Sequence, residues 1–177
     1  MCLGDGVAEK RVWDWGIHRL YDIVLDKFRD DSKMSSSTYG FVDNLLQILV
    51  PMSLSELYRP QLSSDKKTYE FIEYLFPKLI TKYKKQPMLL DNYVTYMSNL
   101  CSGDSALKNI FLTKTRVKVI IDAFYYYVLN HKSKNRDFLD LRQSIYSFIA
   151  NIITNVEHRK LFVEMLGKDN KMDELRQ

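Results

Sequence analysis

Residues 93–101, Tyr93-Val94-Thr95-Tyr96-Met97-Ser98-Asn99-Leu100-Cys101, set apolar side chains at Tyr93, Met97, Leu100 and Cys101, with an amide at Asn99 beside them. Three- and four-residue spacing puts the apolar positions on one helical stripe. A shift of 52 residues towards the N-terminus returns the pattern as Phe41, Leu45, Gln47, Ile48 and Leu49; the same shift forwards returns Ile145, Ile149, Asn151, Ile152 and Ile153. Self-similarity at a fixed period is the mark of stacked repeats, and here it includes a polar column as well as apolar ones.

The repeat extends to the flanking segments. In a preceding helix Ile17, Tyr69 and Ile121 align, as do Leu20, Ile72 and Phe124, then Ile23, Leu75 and Tyr127, then Val24, Phe76 and Val128. In a short third helix Tyr58, Ile110 and Phe162 fall in register. The chain therefore reads as an N-terminal extension over 1–11, three units over 12–61, 67–112 and 115–166, and a polar tail over 167–177. Polar clusters at 30–38, 59–67, 84–87, 102–104 and 132–137 punctuate the helices. Pro51 is expected to end one helix, and Ser53-x-x-Glu56 has the spacing of a capping box opening another.

The stretches Asn99-Leu100-Cys101-Ser102-Gly103-Asp104-Ser105-Ala106-Leu107-Lys108-Asn109-Ile110-Phe111 and Asn151-Ile152-Ile153-Thr154-Asn155-Val156-Glu157-His158-Arg159-Lys160-Leu161-Phe162-Val163 resemble the junction between successive armadillo repeats. In that family an asparagine near the end of the third helix precedes a polar turn, and a basic residue then leads into an apolar pair. Residues 119–128 look like the family's second helix. The resemblance implies an all-α fold, a right-handed α-α superhelix of about three armadillo-like repeats, with the amide-bearing helix of each unit lining a concave face. The 52-residue unit exceeds the roughly 40–47 residues of armadillo and HEAT units.

On that lining helix, positions three, four and seven before the amide share its face. They are Gly40, Asp43, Asn44 and Gln47 in the first unit, Asn92, Thr95, Tyr96 and Asn99 in the second, and Ser144, Ser147, Phe148 and Asn151 in the third. The last eight are the candidate partner-binding residues. A side-chain amide both donates and accepts, so it can hold the backbone of an extended peptide whatever its sequence, which is how the family uses its asparagine. The competing reading is that the amides bond to neighbouring helices and hold the units in register.

Composition closes several doors. The two cysteines, Cys2 and Cys101, lack the spacing of a thiolate metal site or a disulfide framework, so a reducing compartment, cytoplasmic or nuclear, is expected. No apolar run approaches the roughly 20 residues of a membrane span, and the start has no signal-peptide pattern. A catalytic nucleophile and base could come only from Cys101, His18, His131 and His158. Cys101 and His18 read as packed in or beside the core, and His158 as a residue of the junction turn. No nucleotide, zincin, hydrolase or EF-hand motif occurs. No catalytic residue, metal or cofactor is expected; the acidic group Asp26, Asp30, Asp31 reads as a solvated helix end.

Charge is uneven along the chain. Residues 59–136 hold 14 Lys and Arg against 6 Asp and Glu, a surplus of 8, whereas 1–58 carry minus 3 and 137–177 minus 1. The densest pieces are Lys82–Lys85, the run Lys114, Arg116, Lys118, and the run Lys132, Lys134, Arg136. An acidic protein or peptide partner fits this middle, and nucleic acid is the alternative. The expected function is a non-enzymatic interaction module. Trp13, Trp15, Tyr125 and Tyr126 are the candidates for self-association, because the three successive rings at 125–127 span too much helix circumference for all to face one core.

Overall fold

A computed structural model describes residues 6–27, 35–80, 87–102, 106–129 and 136–168. They form helices α1 (Gly6–Asp14), α2 (Ile17–Lys27), α3 (Ser36–Leu54), α4 (Arg59–Ser64), α5 (Lys66–Leu79), α6 (Pro87–Leu100), a 3-10 helix (Ala106–Phe111), α7 (Lys114–Phe124) continued by a π-helical turn (Tyr125–Leu129), α8 (Arg136–Ile152) and α9 (Val156–Lys168). No strand occurs among the described residues. None of the described helices is long and apolar enough to cross a membrane.

Helix ends follow local chemistry. Ser35, Asp65 and Thr113 take extended backbone and accept from the amide three residues on, which starts α3, α5 and α7. The α1–α2 corner is made by Gly16, whose φ of 89° lies in the left-handed region that a β-carbon disfavours. Pro51 and Pro77 are carried inside α3 and α5. Pro51 was expected to stop its helix; α3 runs on to Leu54 because Leu46, Leu49 and Met52 around it are fully buried, outweighing one missing backbone bond. The expected capping box at Ser53 consequently does not form. Ser53 lies in the last turn of α3, and its hydroxyl donates back to the Val50 carbonyl at 2.6 Å. Residues 59–67, read as a polar break, hold α4, with Pro60 in its first turn.

The helices stack in an order that matches the 52-residue period. The amide-bearing helices α3, α6 and α8 lie side by side, with α6 packed between the other two. In the accompanying row α2 packs on α5, and α7 meets α5 through Arg116, whose Nη2 reaches Glu73 Oε1 at 3.0 Å. The third elements α4 and the 3-10 helix pack on α5, and α9 on α7. Tyr58, Ile110 and Phe162, aligned in the short-helix column, are all buried, although α9 is a full helix of 13 residues. Of the tyrosine run, Tyr125 and Tyr127 are both buried and Tyr126 is half-buried, in the widened turn.

Between the first two units lies a buried phenol network. Tyr21 and Tyr96 share a hydrogen bond between their hydroxyls at 2.7 Å, Thr68 Oγ1 donates to Tyr21 at 3.4 Å, and the Tyr21 ring packs on Phe71 with centroids 4.7 Å apart. Tyr93 donates to the Ile72 carbonyl at 2.7 Å. Burial pushes the Tyr21 hydroxyl up to about 12, with the bonds from Thr68 and Tyr96 opposing, and pushes Tyr93 and Tyr96 well above the usual phenol range. In the unfolded chain these phenols ionise near pH 10. The unfolded state therefore loses protons first, and stability that is complete below about pH 10 is lost as pH rises towards 12 and beyond. Urea unfolding at neutral pH and at alkaline pH should show this loss, and Tyr21→Phe should cost about 1 kcal/mol at pH 7 while reducing the alkaline loss.

Candidate functional site

The polar columns of the three stacked helices meet one another. Asn92 Nδ2 donates to Asp43 Oδ1 at 2.9 Å, joining α6 to α3. Fifty-two residues on, the equivalent pair Thr95 and Ser144 shares a hydrogen bond between its hydroxyls at 2.9 Å, joining α6 to α8. Nearer the helix ends Asn99 Nδ2 donates to Ser53 Oγ at 2.9 Å, and Asn151 Nδ2 to the Ser98 carbonyl and hydroxyl at 2.9 and 3.1 Å. Two rungs thus cross each gap between neighbouring helices. Gln47, with no preceding helix in this row among the described residues, donates to Asp43 of its own helix at 2.9 Å.

The eight candidate residues therefore divide. Asn92, Thr95, Asn99, Ser144 and Asn151 are half-buried and form the rungs; Ser147 is half-buried and takes part in none of them. Tyr96 and Phe148 are placed otherwise than the helical count suggested. Tyr96 is fully buried against Tyr21, and Phe148 is buried with its ring edge-on to Phe111 at 5.1 Å. A large ring beside a stacking ridge is drawn into the inter-unit seam, where it removes more apolar surface from water than it would on an open face.

Sequence reasoning missed the acceptors Ser53 and Ser98, and one further rung. Lys108 of the 3-10 helix is buried, with its Nζ donating to Thr154 Oγ1 of the third unit at 2.7 Å. The signal that existed was the spacing: columns 43, 95, 147 and 40, 92, 144 are three residues apart, which suits partners on adjacent helices of a stack with a 52-residue period.

The reactive candidates are packed. Cys101 is buried, and burial pushes its thiol up to about 12 against the opposing pull of Lys108, so it stays protonated at neutral pH. His18 Nδ1 lies 3.5 Å from Asp65 Oδ2, with its ring against Trp13 and Tyr21. His131 lies outside the described residues, as do Asp30, Asp31 and the basic runs 82–85 and 132–134. The described residues hold no cluster of metal-ligating side chains. In the basic middle, Lys67 pairs with Asp22 at 2.6 Å, Lys114 with Glu164 at 3.4 Å, Arg116 with Glu73 and Lys118 with Asp122 at 3.4 Å. Much of the surplus positive charge is thus tied to carboxylates on the same or adjacent helices.

No family model, no curated protein and no solved structure matches this chain.

His158, at the start of α9, is buried at the junction beside Lys108. Burial, opposed by a hydrogen bond with the Lys108 backbone and aided by the Lys108 ammonium, holds its imidazole below the usual histidine range. The unfolded chain takes up this proton first, so stability present above about pH 6.5 is lost as pH falls below it. Replacing His158 with Leu should flatten the fall in melting temperature between neutral pH and pH 5; an unchanged slope would show that His158 does not carry it.

Proposed function

We propose that the chain is a non-enzymatic protein-interaction module, an armadillo-like right-handed superhelix that holds a peptide or partner segment along the face of α3, α6 and α8. One observation carries this reading. The rung residues Asn92, Thr95, Asn99, Ser144 and Asn151 are half-buried rather than buried, so a line of hydrogen-bonding side chains crosses successive helices while remaining within reach of solvent. Packed helices lie 8–10 Å apart, and an extended peptide advances about 3.3 Å per residue. One amide per helix therefore meets an extended segment about every third residue. The amide nitrogens already hold neighbouring helices, which leaves the carbonyl oxygens of Asn99 and Asn151 to accept from a peptide N–H. The rungs then have two roles, setting the register of the stack and presenting acceptors at a fixed pitch.

The test is selection of peptides from a random displayed library on the purified chain, followed by titration of the selected peptides. Loss of two acceptors at about 1 kcal/mol each should weaken binding to Asn99→Ala with Asn151→Ala roughly tenfold or more. The substituted protein must first show a native melting transition. Raising salt from about 50 to 200 mM should change peptide affinity little, whereas binding to single-stranded oligonucleotides through phosphates would fall steeply. Peptides that bind the double variant as tightly as the wild type would overturn the reading.

A further inference from the structure

The 52-residue period supplies a ruler for the two ends of the stack. A groove of about 430 Å³ at the N-terminal end is lined by Trp15, Gly16, Arg19, Leu20, Ile23 and Ile48. Their equivalents one unit later are Lys67, Thr68, Phe71, Ile72, Leu75 and Leu100. Those six form the face of the second unit that the first unit covers. Lys67 binds Asp22, Thr68 binds Tyr21, Phe71 stacks on Tyr21, and Ile72, Leu75 and Leu100 are fully buried. In the first unit nothing among the described residues covers the same face, so Trp15 is 79% exposed and Ile23 40% exposed. Among the described residues, the groove is an inter-unit seam with one side uncovered.

The C-terminal end exposes the α8 part of the complementary half, whereas Tyr125 and Tyr126, the equivalents of Tyr21 and Asp22, are buried and half-buried. Val42 and Val94, which face the next unit, are fully buried; their equivalent Tyr146 is 48% exposed. Leu46 and Ser98 are buried, and their equivalent Ala150 is exposed. Ser147, in the column of the rung residues Asp43 and Thr95, makes no rung among the described residues. Among the described residues, the groove is thus open at one end of the stack and the α8 face at the other.

We propose that the chain assembles head to tail with a second copy of itself, the groove of Trp15, Arg19, Leu20, Ile23 and Ile48 receiving the α8 face around Tyr146 and Ala150 of the next copy. The contact continues a seam already formed between the first and second units and between the second and third. It is heterologous, joining unlike faces, so it propagates into open chains unless geometry closes a ring. Pairing through two identical grooves is disfavoured, because it would bring Arg19 against Arg19. Gly40 stands where Asn92 and Ser144 supply rungs, so the seam between copies lacks that polar bond and is weaker than the internal ones. The surfaces differ in part from the residues singled out by composition. Trp15 belongs to the groove, whereas Trp13 packs on Tyr58 and His18, and Tyr125 is buried. The proposal rests on the repeat register and is independent of whether the polar face holds a peptide.

The experiment is sedimentation velocity of the full 177-residue chain, under reducing conditions, across the micromolar range. Two variants each block one end: Trp15→Ser with Ile23→Asp at the groove, and Ala150→Arg on α8. All three altered side chains are exposed, and unchanged melting of each variant establishes that it folds. The wild type should grow beyond a dimer as concentration rises, and each blocked variant should remain a monomer. An equimolar mixture of the two variants should form a heterodimer and stop there, because it contains one intact seam. A wild type that stays monomeric, a blocked variant that still dimerises, or a mixture that stays monomeric would each overturn the proposal.

Discussion

An apolar stripe that its own unit cannot cover is the constraint on which this molecule depends. Each unit has one helix in the row α2, α5, α7 and one in the row α3, α6, α8, and in the middle unit both are buried against neighbours on either side. Two helices alone leave at least one such face in water. The middle unit shows the solution, with Phe71, Ile72, Leu75, Tyr93, Val94, Tyr96, Met97 and Leu100 all fully buried because a neighbour lies on either side. At about 1.5–3 kcal/mol for each large side chain removed from water, this sandwiching outweighs local preferences. It carries α3 through Pro51, and it accompanies the widening of the helix after α7 in which Tyr125 and Tyr127 are both buried.

Stacking two amphipathic helices with a repeated pattern leaves their register open to slippage, since one apolar ridge resembles the next. Polar groups in the seam remove that freedom, because a half-buried amide or hydroxyl is satisfied in one alignment and stranded in others. The rungs at Asn92, Thr95, Asn99 and Asn151, and the deeper bond between Tyr21 and Tyr96, do this at successive seams. The same requirement explains Gln47. At the end of the row it has no further helix to reach among the described residues, and it bonds to Asp43 one turn away.

The helical class and the apolar columns were legible from residues 41–49, 93–101 and 145–153, because burial periodicity is written into the order of residue types. The roles within the polar columns were not. Asn99 reads equally as a ligand for a peptide or as a bond to the next helix, and the choice depends on whether Ser53 lies 2.9 Å away, a distance set by how two helices 46 positions apart are stacked. Tyr96 and Phe148 were misplaced for a related reason. Helical counting places a residue on a face, while the depth of that face depends on the partner helix, which here closes over both rings.

By itself, then, the sequence determined that the chain is a set of helices with a 52-residue period, that Cys101 and His18 lie in or beside packed positions, and that positive charge is concentrated in its middle. Those properties follow from local periodicity and composition, which need no neighbour. Tertiary structure alone decided that Lys67 and Arg116 are paired across units, that Lys108 is buried against Thr154, and that Trp15, Ile23 and Tyr146 are exposed at opposite ends. The physical reason is common to all of them. Burial and pairing belong to the seam between two units, and a seam exists only once the units have stacked.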